Sequence, residues 1–331
     1  MESTNEKGIL KMSKNGVLNE AVQNIRNYDY EVVCGAAADS FPEEYEIPRE
    51  NTGALRNQGD YSTCLACVIA QIAQAMWKSV LGEDRVHSEW FVYGGFRKEN
   101  EKTEGMFPQQ SMKMWKEIGT VPIEYFDKKA EMPDIKNMVD QVPELKEVSE
   151  RYQISGFVEL TGSQKDKKIK DALTKYPYGL VGISPDWFPG GCHAIMITGW
   201  NDKENKYKFK NSWGEEYGKD GFSEIPKNEI GSVFLPLIDP IVLPFEDVKE
   251  SDWSFKYIQN MYFNGLMKGT SDTTFEPTQA VTREELAVFG YNLAKRMDER
   301  FQLLNKVLNT APKSKSSLFI RFKNFVKGLK K

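Results

Sequence analysis

Histidine is almost missing from this 331-residue chain, with His87 and His193 its only two. A mechanism that needs an imidazole therefore has two candidates. Cysteine is scarce as well: Cys34, Cys64, Cys67 and Cys192 are too few for a disulfide scaffold, so the fold does not need an oxidising compartment. No run of 18 apolar residues occurs, which predicts no membrane-spanning helix. The first residues, Met1 to Lys7, have no apolar stretch behind a basic start, so no signal peptide is expected and localisation stays open. The sequence also lacks low-complexity blocks and convincing repeats. A net charge of −4 and a pI near 5.6 argue against nucleic acid as the main partner. That balance is uneven: residues 311–331 carry seven Lys or Arg and no acid, and the rest hold 37 basic against 48 acidic groups.

Hydrophobic residues at 40% and charged ones at 28% describe a globular chain long enough for two domains. Residues 1–40 are polar, with one short helix expected around Leu18–Arg26, and residues 42–52 read as extended. From Cys64 to Leu81 apolar side chains cover most of a helix circumference, which predicts a central buried helix ended by Gly82 and capped by Ser62 or Thr63. Further helices are expected over 109–118 and 167–175. The texture then turns to strands, around 179–183, 194–198 and 207–210. Helices first and strands later predict an α+β domain. Pro226, Pro236, Pro240 and Pro244 punctuate an apolar connector and set a boundary near 237–244. A compact helical unit is expected over 245–298.

Four side chains carry the chemistry in chain order: Gln58, Cys64, His193 and Asn211. A thiol hydrolase needs a thiolate nucleophile, an imidazole to ionise it and later protonate the leaving group, an amide to orient the imidazole, and a donor for the oxyanion. A helix N-terminus favours the Cys64 thiolate. The backbone N–H of Cys64 and the Gln58 amide can form an oxyanion hole. Trp213 can shield the Asn211–His193 bond from water. His87 lies in a Ser- and Glu-rich stretch and is expected at the surface, which leaves His193 as the base. Trp187 and Gly191 are expected to border the cleft. Cys64-Leu65-Ala66-Cys67 also reads as a C-x-x-C redox pair or half a zinc site, which Cys192 and His193 would complete.

The spacing of Gln58, Cys64 and His193, the Asn211-Ser212-Trp213-Gly214 motif and the Gly218-Lys219-Asp220-Gly221-Phe222 turn together resemble the papain-like cysteine peptidases over residues about 41–226. Tyr61 and Leu65 stand where that family has a disulfide cysteine and a tryptophan. The resemblance implies a two-lobed fold over 41–236, a helical half against a β-rich half with the substrate between them. It also implies a Cys64–His193–Asn211 triad with Gln58 as oxyanion donor, a peptide or protein substrate, and no cofactor or metal. Residues 1–40 are then an extension shorter than the family's pro-segment. Alternatives from other classes are a catalytically silent binding or assembly protein and a hydrolase of cell-wall peptides.

Downstream, Phe245-Glu246-Asp247-Val248, Trp253, Gly265-Leu266-Met267-Lys268-Gly269, Thr274-Phe275-Glu276-Pro277 and Val281-Thr282-Arg283-Glu284-Glu285 resemble one surface-layer homology (SLH) repeat. It reads as two helices around a Gly-rich loop, the second capped by Thr282. The resemblance implies binding of anionic cell-wall polysaccharide, with Trp253, Gly269 and Arg283 as candidate contacts, and a bacterial or bacteriophage source. Residues 299–331 are expected to form a helix and basic tail. There Leu318, Phe319, Phe322, Phe325, Val326 and Leu329 share one helical face, opposite a largely basic one, as in helices that lie on anionic membranes.

Overall fold

The computed structural model describes residues 30–96, 104–126, 143–187, 191–239, 243–263 and 266–310. The helix expected near 18–26, and the tail after 310, lie outside these residues. Helices dominate the first half, interleaved with β1 and β2: α1 (Tyr30–Cys34), α2 (Cys64–Leu81), α3 (Glu89–Gly95), α4 (Pro108–Glu117), α5 (Pro143–Glu150) and α6 (Lys165–Lys175). Strands are β1 (Glu44–Glu46), β2 (Gly156–Glu159), β3 (Leu180–Trp187), β4 (Gly191–Asn201), β5 (Lys206–Lys210), β6 (Phe222–Pro226) and β7 (Val233–Leu237). Two further helices, α7 (Phe255–Phe263) and α8 (Arg283–Thr310), follow.

The strands form one antiparallel sheet in the order β2-β7-β3-β4-β5-β6, with β1 added beside β4. β1 comes close enough to pair because residue 199 is glycine: a Cβ there would lie 2.2 Å from the Tyr45 carbonyl oxygen. The α+β expectation holds. Two prolines of the expected connector belong to strands: Pro226 ends β6 and pairs with Lys206, and Pro236 lies in β7 and pairs with Phe157.

α2 is buried from Cys64 through Trp77, as its all-round apolar sequence requires. It packs against β4 and β3, so Leu65, Ile69, Ile72 and Met76 share a core with Ala194, Ile195 and Ile197. Gly82 ends it in the left-handed conformation (φ 70°), its N–H returning to the Lys78 carbonyl. The residues bearing Cys64 and His193 therefore sit on two elements locked into one core.

A second, small core of Leu243, Phe245, Val248 and Ile258, with Phe255 and Phe275 against it, holds the C-terminal unit. It meets the end of α2, where the Lys256 ammonium donates to the Ser79 carbonyl at 2.8 Å. Thr282 caps α8 as expected: its hydroxyl accepts the Glu285 N–H at 3.1 Å, and Glu285 Oε2 accepts the Thr282 N–H at 2.8 Å. α8 continues to Thr310, so the boundary expected at 298 falls inside a helix.

Candidate active site

Cys64 is the first residue of α2 and is fully buried. The side-chain cap expected before it is not made. Thr63 Oγ1 faces Cys67 Sγ at 3.9 Å, and Ser62 Oγ donates to Glu104 Oε2 at 3.1 Å. Open N–H groups at a helix start are what a thiolate needs. Burial pushes the Cys64 thiol up to about 12, opposed by the backbone N–H groups of Ala194, Leu65 and Cys64 itself. Ala194 directly follows His193, so the thiol reaches the strand that carries the imidazole.

His193 is also fully buried. Its Nε2 lies 2.8 Å from Asn211 Oδ1, and the Ser212 backbone N–H donates to the same oxygen at 2.8 Å. A backbone N–H can only donate, so that atom is the amide oxygen. His193 Nε2 must therefore carry the hydrogen, and in the neutral ring Nδ1 carries the lone pair. Nδ1 is enclosed and has no hydrogen-bond partner among the described residues. Two indoles flank the ring: Trp213 at 4.9 Å between centroids and Trp187 at 4.7 Å. Desolvation lowers the imidazole to about 4, with the Asn211 bond acting the other way.

Gln58 is held from both sides. Its N–H donates to the Ser212 carbonyl at 2.8 Å, and its Oε1 accepts the Ser212 hydroxyl at 2.6 Å. Its Nε2 donates to the Tyr61 carbonyl at 2.8 Å. An amide nitrogen has two hydrogens, so one remains for another acceptor. Ser212 thus fixes both amides, a role its place in the Asn-Ser-Trp motif hid. Gly191 pairs with Trp187 across the β3–β4 turn at φ 95° and is exposed. Beyond the indoles lies a 310 Å³ cavity lined by Trp187, Phe209, Trp213, Tyr217, Ile225 and Glu229.

The surface expectation for His87 is wrong. Its side chain is fully buried, with Nδ1 2.8 Å from Thr120 Oγ1, and desolvation plus Arg56 and Arg85 lower it to about 3. The polar segment around His87 is held against residues 120–122, where the Ser88 N–H pairs with the Val121 carbonyl and His87 bridges to Pro122. All four cysteines are free, and no metal-holding group of His, Cys, Asp and Glu occurs among the described residues.

In the C-terminal unit Trp253 is 86% exposed, the highest of the large apolar side chains among the described residues, and Arg283 is the first residue of α8. Gly269 is a packing position: a Cβ there would lie 2.4 Å from both the Phe245 ring and the Thr274 carbonyl.

A family model described as papain family cysteine protease matches residues 41–233, more than half the chain. The chain belongs to the papain family of cysteine proteases. An S-layer homology domain model matches residues 244–287. Among characterised proteins, Falcipain-2a of Plasmodium falciparum is 30% identical over 126 residues, 28% of this papain-family chain and 25% of that protein. An endoglucanase of Bacillus sp. is 51% identical over 45 residues, 14% of this chain and 5% of that protein. The matches thus span a quarter or less of these relatives. Xylellain, a cysteine protease from Xylella fastidiosa, shares the fold at a TM-score of 0.54 and 16% identity, over 70% of this chain and 98% of its own.

Proposed function

We propose that this papain-family chain hydrolyses peptide bonds with Cys64 as nucleophile, His193 as acid and base, Asn211 as orienter and Gln58 as oxyanion donor. The observation that carries the reading is the fixed tautomer of His193, which leaves the Nδ1 lone pair free while Ala194 donates to the Cys64 sulfur. Cys64 passes its proton to Nδ1 and its sulfur bonds to the substrate carbonyl carbon. The carbonyl π electrons move to oxygen, which receives the Cys64 N–H and the spare Gln58 N–H. Collapse breaks the C–N bond, and the imidazolium gives its proton to the departing amine. Water, losing a proton to Nδ1, then cleaves the thioester and restores the thiol. Burial penalises thiolate and imidazolium singly, but the transfer creates both together, each in the field of the other.

A fluorogenic peptide library tests the reading. Cleavage by the wild type that Cys64→Ser and His193→Ala abolish is the expected result. Peptide binding without cleavage by the wild type would install the silent, peptide-binding alternative in its place.

The S-layer homology unit supports anchoring to anionic wall polysaccharide, with exposed Trp253 as a stacking face and Arg283 as a fixed cation. The same unit favours wall peptides as one substrate class. Gly269 supports the loop conformation rather than a direct contact. Sedimentation with Gram-positive cell walls, weakened by Trp253→Ala, is expected; equal sedimentation of a chain ending at residue 243 would remove the anchor. The basic amphipathic sequence of 318–331 supports contact with anionic membrane. Equal binding to anionic vesicles with and without residues 313–331 would end that proposal.

A further inference from the structure

Beside the residues of the mechanism above lies a buried ammonium, that of Lys210. Lys210 ends β5 directly before Asn211 and is 2% exposed. Its ammonium donates to the Thr52 carbonyl at 3.1 Å, to Thr52 Oγ1 at 3.3 Å and to the Gly53 carbonyl at 2.5 Å. No carboxylate is among these acceptors. An ammonium carries three donors, and here all three meet one short piece of chain far upstream in sequence.

That piece is tied to the helix that begins with Cys64. Gly53, at φ 73°, lies so close to α2 that a Cβ would come 2.5 Å from the Gln71 carbonyl oxygen. One residue on, the Ala54 N–H donates to Gln74 Oε1 at 2.7 Å. A continuous set of contacts therefore runs from Asn211 through Lys210 and Thr52–Gly53 to α2. A second set lies beyond Asn211, where the Gly214 N–H reaches the Arg56 carbonyl at 2.9 Å.

We propose that Lys210 is a positioning residue that clamps the Asn211 strand to the Cys64 helix and so holds the imidazole in reach of the thiol. It acts through Asn211 and touches no substrate. The inference rests on the triad reading. Around the ammonium stand Arg56, the Phe222 ring at 5.6 Å, and Arg49 at 4.3 Å from that same ring. Desolvation and Arg56 lower the ammonium to about 7, so the clamp loses one of its three donors as the pH rises through neutrality.

The test is the rate of Cys64 alkylation by iodoacetamide in the full chain, followed at about pH 6 and about pH 9.5, with the melting temperature measured alongside. Lys210→Met should slow labelling about tenfold or more at the lower pH, where only a paired thiol reacts. The loss should shrink at the higher pH, where hydroxide ionises more of an unpaired thiol and the wild-type clamp is itself weakened, and Lys210→Arg should restore most of the rate. Thr52→Val, which removes one acceptor, should fall between wild type and Lys210→Met, and it decides the matter if Lys210→Met does not fold. A folded Lys210→Met that labels like wild type, an equal loss at both pH values, or Thr52→Val unchanged beside an unfolded Lys210→Met would overturn the clamp alone. Slow labelling of the wild type at the lower pH would instead overturn the triad reading beneath it.

Discussion

His193 Nε2 donates to Asn211 Oδ1 at 2.8 Å, and the Ser212 N–H donates to the same oxygen, so one amide atom fixes the tautomer of the ring. Asn211→Ala frees the ring to rotate and to carry its hydrogen on either nitrogen. Steady-state kinetics on a cleaved peptide should show kcat lowered roughly a hundredfold, with KM nearly unchanged. Unchanged kcat would mean the two indoles alone hold the ring.

Gln58 offers a sharper contrast through its isostere. Ser212 Oγ and the Tyr61 carbonyl fix which end of the amide donates. Gln58→Glu keeps the shape but replaces the donor with an acceptor. It should lower kcat by about 10²–10³ without raising KM in proportion. An equal effect on ground-state binding would argue for a substrate-positioning role instead.

The buried histidines set an acid limit on stability. His87 titrates at about 3 in the folded chain against 6.5 when free, and His193 at about 4. The unfolded chain therefore binds these protons first as the pH falls. Stability is fully present above 6.5 and is lost progressively from there down through the folded values. Melting curves should show this decline, and His87→Gln should melt lower at neutral pH yet lose less on acidification. A parallel decline in both proteins would assign the acid sensitivity elsewhere.

Thr282 and Glu285 cap α8 reciprocally on an exposed surface. Thr282→Ala should destabilise the C-terminal unit by about 1 kcal/mol without touching peptide hydrolysis. Hydrogen exchange along α8 would register the change, and unaltered protection would show the cap to be dispensable.

The α+β fold was legible from the order of helical and strand patterns, α2 from its apolar periodicity, and the candidate set Gln58, Cys64, His193 and Asn211 from its order and spacing along residues 58–211. The errors share a cause. His87 read as exposed because its neighbours are polar, yet Thr120 and Val121, more than 30 residues later, enclose it. Ser62 and Thr63 read as caps because both suit that position, yet Glu104 and Cys67 take their hydroxyls. Nothing in the sequence marks Lys210 beyond its place in the expected strand 207–210, because its three acceptors lie about 158 residues upstream. Apart from Thr63, whose hydroxyl faces Cys67 one helical turn on, each of these outcomes is decided by a contact distant in sequence, which no local pattern encodes.

The pH dependence of Cys64 alkylation by iodoacetamide, located by peptide mass spectrometry in wild type and His193→Ala, tests the central claim most directly. Burial alone pushes this thiol up to about 12, so an unpaired Cys64 should react more slowly than a free thiol, which ionises near about 8.5. Pairing with His193 predicts fast labelling of the wild type well below that value, lost in His193→Ala. Slow labelling of both proteins at acidic pH would contradict the account.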